Sequence, residues 1–436
     1  MSALASVLAA MGHQVTGSDL KASVTTSRLA AAGVGVAVGH DAAHLGEAEV
    51  VAVSSAITEA NPELAAARAA GVAVLSRAQM LAAVAAQRRV VAVAGTHGKT
   101  TTASMLALIA VEAGLRPSFL IGGDLNEMGT NAVWDTGPWL VVEADESDGT
   151  FLALDPEVAV VTNVEPDHLD HYGGFPELVA AFDRFCAGRP GGLVVGADDP
   201  VAARLGRAHG ADLVGTGPDA TFRIDAVAPG REGVSFTLSL PGEAPRRLTL
   251  PVTGANIAAN AAVAMVSALR LGARFEDGAR ALARFAGVAR RFELRGERDG
   301  VRFVDDYAHL PTEVRAVLEA ARQTGPTRLV VVFQPHRYSR IASLGPQFAD
   351  AFTRADVVVV TDVFAAGEAP RPGVTGRLVA DAVAAAHPEL DLTYVAGREA
   401  LRSHVAALLR PGDLCLTLGA GDLTLLPDEL LAGEGR

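Results

Sequence analysis

Val90-Val-Ala-Val-Ala-Gly95-Thr96-His97-Gly98-Lys99-Thr100-Thr101-Thr102 is the stretch on which the reading of this chain turns. Residues 90–94, small and apolar throughout, carry the signature of a short strand buried on both faces. The glycines that follow let backbone N–H groups turn inward toward phosphate oxygens. A run of small and apolar residues to about Ala113 then predicts a helix, whose N-terminus adds partial positive charge. Lys99 brings a compact charge to the outer phosphates, and the Thr100 hydroxyl can ligate Mg²⁺. The spacing is a tight Gly-x-x-Gly-Lys-Thr form, because Val93 occupies the position five before Gly98. Only two of the 37 basic residues are lysine, Lys21 and Lys99, so a lysine inside a glycine loop invites a chemical explanation. Gly95, Thr96, His97, Gly98, Lys99, Thr100 and Thr101 together form the expected triphosphate site.

Two acidic clusters lie downstream. Leu140-Val-Val-Glu143-Ala-Asp145-Glu146-Ser-Asp148 is an apolar strand that ends in four carboxylates. Val158-Ala-Val-Val-Thr-Asn163-Val-Glu165-Pro-Asp167-His168 is a second strand that ends in Asn, acids and His. In a parallel sheet both ends leave by the edge that also carries the phosphate loop. Carboxylates there are costly unless a cation balances them, and Mg²⁺ ions bridging ATP phosphates would do so.

The rest of the chain sets the frame. Its 436 residues exceed one ordinary core and fit two or three domains. Half the residues are hydrophobic, glycine is plentiful and aromatics are few, a globular α/β profile. A net charge of −13 argues against nucleic acid or an anionic membrane as a general partner. Two distant cysteines without a CxxC pattern fit a reducing cytoplasm, and no run approaches a membrane span.

Strand–helix alternation marks residues 1–88, with apolar runs at Gln14–Thr16 and Val50–Val53 and helices near 62–70 and 78–86. A central unit, 89–289, contains an antiparallel hairpin pattern around the Pro-Gly-Arg-Glu-Gly turn at 229–233 and a helix near 256–271. The last unit, 290–436, returns to alternation, with strands near 301–304, 329–333, 357–361, 392–395 and 414–418. The expected architecture is therefore three α/β domains: a Rossmann-like N-terminal unit, a central unit of P-loop ATPase type, and a Rossmann-like C-terminal unit.

With these motifs in view the chain resembles the Mur ligases, which extend the peptide of peptidoglycan precursors. The resemblance covers essentially the whole length. Within that family, the segments beginning at Glu143 and Asn163, Arg290-Arg291-Phe292 and Asp305-Asp306-Tyr307-Ala308-His309 are most similar to the branch that adds L-alanine to UDP-N-acetylmuramate. Phe333-Gln-Pro-His336-Arg337-Tyr-Ser-Arg340, Asp362-Val-Phe-Ala-Ala-Gly-Glu368 and Gly419-Ala-Gly-Asp422 complete the pattern. The resemblance implies an ATP- and Mg²⁺-dependent acid–amino-acid ligase working through an acyl phosphate. It further implies that Lys99 holds the outer phosphates, that Thr100 ligates one Mg²⁺, and that Glu143 and His168 ligate a second. Asn260, Arg291, Asp306 and Tyr307 would contact the nucleotide. His309, His336, Arg337 and Arg340 would face the muramyl substrate and alanine.

Some positions depart from the pattern. Asn256 stands where the family usually has histidine, Ala308 replaces a glycine and Leu310 a second histidine. No lysine follows residue 99, so the carbamylated lysine of several sister ligases has no counterpart. The family's opening strand and glycine loop run into Met-Ser, and Met1-Ser2 takes up the motif there. The expectation is a natural chain longer by ~10–20 residues. A sister UDP-muramyl ligase and a nucleotide-binding protein without catalysis are the competing readings. An oxidoreductase is disfavoured, because the complete glycine loop carries Lys-Thr.

Overall fold

A computed structural model describes residues 1–433 apart from Ser55 and Arg231, and of Asp170 the backbone only. The second serine of the Ser54-Ser55 strand end, the turn residue Arg231 and the last three residues of the C-terminal unit thus lie outside the described residues. The chain divides into two compact units, one built mainly from residues 1–225 and the other mainly from 286 onward.

Four short strands lie near the start of the first unit: β1 (Thr16–Asp19), β2 (Gly35–Val38), β3 (Val50–Val53) and β4 (Ala73–Ser76). They pair as two separate parallel ribbons, β1 with β2 and β3 with β4. The first strand is Thr16–Asp19 and not the apolar run Gln14–Thr16. Pairing with Gly35–Val38 sets its limits, so polar Ser18 and Asp19 are drawn into the ladder. Helices Ser2–Ala10 and Arg77–Ala85 sink Leu4, Val7, Leu81 and Val84 into the same apolar core as the central sheet.

The central sheet is assembled around β5 (Arg89–Ala94). Its other strands are β6 (Ser118–Leu125), β7 (Thr130–Val133), β8 (Trp139–Glu143), β9 (Val158–Val161), β10 (Gly192–Gly196) and β11 (Asp212–Gly215), in the order β11-β10-β9-β5-β8-β6-β7. All these pairings are parallel except β6 with β7. Next in order come β12 (Phe222–Gly230), β13 (Gly233–Ser239) and β14 (Arg246–Leu250). Helix Lys99–Glu112 is buried all round from Thr100 to Ala110, which explains its lack of an amphipathic stripe.

The second unit has a six-stranded sheet. Its strands are β15 (Glu293–Arg298), β16 (Val301–Asp306), β17 (Arg328–Phe333), β18 (Val357–Val360), β19 (Asp391–Tyr394) and β20 (Asp413–Leu418), in the order β15-β16-β20-β17-β18-β19. Five of these strands are mutually parallel, as alternation predicts. β15 departs from that pattern and runs antiparallel to β16. Its sequence, Glu-Leu-Arg-Gly-Glu-Arg, suits an exposed edge, where charge discourages further pairing.

Candidate active site

β5 lies between β8 and β9, with Val93 opposite Glu143 and Ala94 opposite Val161. Both acidic strand ends therefore flank the phosphate loop, at the edge where parallel sheets bind ligands. Gly95 has φ +131°, and a Cβ there would meet Thr162 Oγ1 at 2.0 Å. Gly98 has φ +77°, and a Cβ there would lie 2.5 Å from Asn260 Oδ1. Each glycine is thus required twice, by conformation and by space.

The loop is clamped from β9. Thr162 Oγ1 and Asn163 Nδ2 both donate to the His97 carbonyl, at 2.5 and 3.0 Å. His97 N–H donates to Asn163 Oδ1 at 2.8 Å, and Glu165 N–H donates to Thr96 Oγ1 at 2.8 Å. The His97 ring lies 3.3 Å from Glu165. The sequence places Asn163 in the second strand-end cluster but assigns neither it nor Thr162 a role in holding the loop. The available signal was their position at the end of a strand expected to neighbour the loop.

Charge is concentrated on the other side. Glu143 accepts from Thr100 Oγ1 at 3.0 Å and from the Gly122 N–H at 2.6 Å. Lys99 Nζ donates to Glu146 Oε1 at 2.8 Å, to Gly95 O at 2.7 Å and to Thr96 O at 3.3 Å. Burial would lower the lysine pKa, but Glu146, Asp145 and Glu143 outweigh it and hold the ammonium charged. Burial pushes Glu146 up to about 7, against the pull of Lys99. Burial also acts to raise Asp145, yet the Lys99 charge and the Ser147 N–H hold it below the usual carboxylate range. The clusters need a balancing cation, as the sequence indicates, and Lys99 itself supplies one.

Thr100 and Glu143 are brought together. His168, at φ +53°, is seated by Asp167, with Nε2 3.1 Å from Asp167 Oδ2. Among the described residues no three His, Cys, Asp or Glu side chains converge as a ligand set. The residues still fit Mg²⁺, which is usually held by one or two carboxylates plus substrate phosphates and not by an all-protein cage. A hydroxyl and a carboxylate oxygen side by side at a helix N-terminus are hard donors of that kind.

In the second unit, β16, β17 and β20 are contiguous and deliver three loops to one edge. Asp306, buried at the end of β16, accepts from Phe292 N–H and Ala308 N–H at 2.7 Å each. Burial raises its carboxyl to about 6, opposed mainly by Arg291. The guanidinium groups of Arg290 and Arg291 lie 5.0 and 5.1 Å from the Tyr307 ring centroid. Arg290 also donates to Gly419 O at 2.7 Å and faces buried Asp305 at 3.4 Å.

Tyr307, His309 and His336 form a chain of rings, with centroids 5.4 and 5.6 Å apart. His309 Nδ1 lies 3.0 Å from the Tyr307 carbonyl, which only accepts, so that nitrogen carries a proton. Arg340 donates to His336 Nδ1 at 2.9 Å, so that nitrogen is an acceptor and Nε2 carries the proton. Arg337 has φ +68° and ψ +133°, a strained backbone for any residue that carries a Cβ. Its N–H donates to Phe364 O at 2.8 Å, which fixes that turn. The expected residues of the second unit thus gather at one sheet edge, and Arg290, named in the sequence pattern without a role of its own, joins them.

The chain that carries these features, a lysine-bearing phosphate loop in one unit and an Arg-, His- and Tyr-lined sheet edge in the other, is similar to known proteins along its length. Three family models match: the Mur ligase family catalytic domain over residues 1–89, the Mur ligase middle domain over 93–268, and the Mur ligase glutamate ligase domain over 290–421. A UDP-N-acetylmuramate–L-alanine ligase of Rubrobacter xylanophilus is 46% identical over 437 residues, covering 99% of this chain and 97% of the relative. Its namesake in Saccharopolyspora erythraea is 48% identical over 455 residues, covering 100% and 91%. The crystal structure of the Thermotoga maritima UDP-N-acetylmuramate–alanine ligase superposes with a TM-score of 0.84 at 26% identity, covering 99% and 96%. The chain belongs to the Mur ligase family.

Proposed function

We propose that this chain is the ATP-dependent ligase that joins L-alanine to the lactyl carboxylate of UDP-N-acetylmuramate, a step in making peptidoglycan precursors. The observation that carries the reading is the Lys99 loop, set between the Glu143 and Asn163 strand ends in a chain that matches alanine-adding relatives along its length.

The chemistry follows from charge. A carboxylate must approach a triphosphate, so two anions have to be neutralised and aligned before the γ-phosphoryl group can transfer. Loop N–H groups and the helix N-terminus receive the phosphates, and Lys99 meets the outer ones. Thr100, Glu143 and His168 are the residues that would hold Mg²⁺, which when bound spreads the developing phosphate charge. Asn260, Arg291, Asp306 and Tyr307 are assigned to the nucleotide. His309, His336, Arg337 and Arg340 are assigned to the muramyl substrate and alanine. The resulting acyl phosphate is attacked by the amine of alanine, and phosphate leaves. A division into 1–88 for the UDP-sugar, 89–289 for ATP and 290–436 for alanine completes the assignment.

Substrate carrying ¹⁸O in the lactyl carboxylate tests the acyl phosphate. One label per turnover is expected in the released phosphate. Phosphate without label rules that intermediate out.

A further inference from the structure

Lys99 has three N–H donors, and the structure spends all three on the protein: Glu146 Oε1 at 2.8 Å, Gly95 O at 2.7 Å and Thr96 O at 3.3 Å. A phosphate oxygen can reach this ammonium only by replacing one of them. Gly95 O and Thr96 O are backbone carbonyls of the loop that leads into Lys99 itself, and neither carries a formal charge. Glu146 belongs to another segment, after β8, and is the partner that carries a negative charge when ionised. It is also the partner most opposed to an incoming triphosphate, because two anions would crowd one cation.

Glu146 is built as a one-sided contact. Its side chain is 2% exposed, and Oε2 has no hydrogen-bond partner. A buried carboxylate usually satisfies both oxygens, so its tie to the molecule rests on Lys99 through Oε1. Its carbonyl, by contrast, is fixed by the Tyr172 hydroxyl at 2.5 Å, so the backbone stays in place if the side chain lets go. The arrangement is a held backbone with a side chain secured at one atom.

We propose that Glu146 is a positioning residue that competes with the nucleotide triphosphate for Lys99: it holds the ammonium over the loop, and a bound triphosphate displaces it. The proposal rests on the assignment of the Lys99 loop to ATP. It gives the acidic cluster after β8 two distinct parts, with Glu143 beside Thr100 and Glu146 on the lysine.

The composition supplies the probe. Lys21 is exposed and Lys99 is the other lysine, so protein labelled with ¹³Cε-lysine gives two side-chain NMR signals. Lys21→Arg assigns them by removing one. Without nucleotide, Glu146→Gln is expected to shift the Lys99 signal, and Glu146→Asp to shift it less. At saturating Mg-ATP the Lys99 signals of wild type and Glu146→Gln are expected to converge. Losing the competing ion pair should also tighten Mg-ATP binding by about tenfold.

A Lys99 signal indifferent to both substitutions overturns the proposal. So does a separation between variants that persists unchanged at saturation, or weaker nucleotide binding by Glu146→Gln. Failure of wild type to bind Mg-ATP at all is a different result, which removes the loop assignment and the competition together.

Discussion

A Cβ placed on Gly95 would lie 2.0 Å from Oγ1 of Thr162, the atom that donates to the His97 carbonyl at 2.5 Å. The loop and the end of β9 are therefore built against each other with no room for one carbon. Gly95→Ala should destabilise the protein by roughly 1–3 kcal/mol through overpacking, and weaken nucleotide binding as the loop shifts. Thr162→Ala in the same chain should recover part of the stability by removing the obstructing oxygen. Urea unfolding and nucleotide titration of both variants check this. No recovery in the double variant would locate the strain elsewhere.

The phosphate loop was legible because several signals agree there: a buried strand, glycines, a rare lysine and a helix of small residues. The acidic strand ends were legible for the same reason, since parallel alternation sends them to one edge. What the sequence did not reveal was which side chains meet at the edge of each sheet. Lys99 on Glu146, Thr162 on His97 and Arg290 on Asp305 and Tyr307 are contacts between segments far apart in the chain, and they leave no local periodicity. Strand β15 escaped notice because an edge strand of Glu and Arg lacks the apolar run that betrays a buried one. The limits of β1 were misplaced because its partner, and not its own hydrophobicity, sets them.

Asp305 should act as a structural anchor of the second sheet. It is 1% exposed, and Thr417 Oγ1 and Thr424 Oγ1 each donate to it at 2.6 Å, with Arg290 beside it. Asp305→Ala takes the carboxylate from both hydroxyls that donate to it and from the Arg290 charge beside it, which should cost roughly 3–5 kcal/mol. Asp305→Asn keeps an acceptor and should cost less. Chemical denaturation of the two variants measures the order, and equal losses would show that the charge and its acceptors are unimportant.

Glu146 gives a pH signature. Burial pushes its carboxyl from 4.5 up to about 7, so between those values the folded protein keeps a proton that the unfolded chain has released. Its contribution therefore favours folding fully below about 4.5 and is lost as pH rises through about 7. Unfolding free energy of wild type minus that of Glu146→Gln should fall between pH 5 and pH 8. A difference that stays flat or rises over that window would contradict the burial argument.

Both cysteines should be inert in the native protein. Cys186 and Cys415 are buried, and burial pushes each thiol up to about 12, so neither is a thiolate at neutral pH. A chromogenic disulfide reagent at pH 8 should titrate no thiol in the native protein and two in denaturant. Rapid native labelling would place at least one of them at an accessible surface.

The central claim is the joining of alanine to UDP-N-acetylmuramate at the expense of ATP. Its most direct test is mass spectrometry of the product formed from ATP, Mg²⁺, UDP-N-acetylmuramate and a panel of amino acids in competition. The predicted result is one dominant product carrying alanine, with one ADP and one phosphate released for each. A product carrying glutamate or another amino acid in preference, or ADP release without any amide, would contradict it.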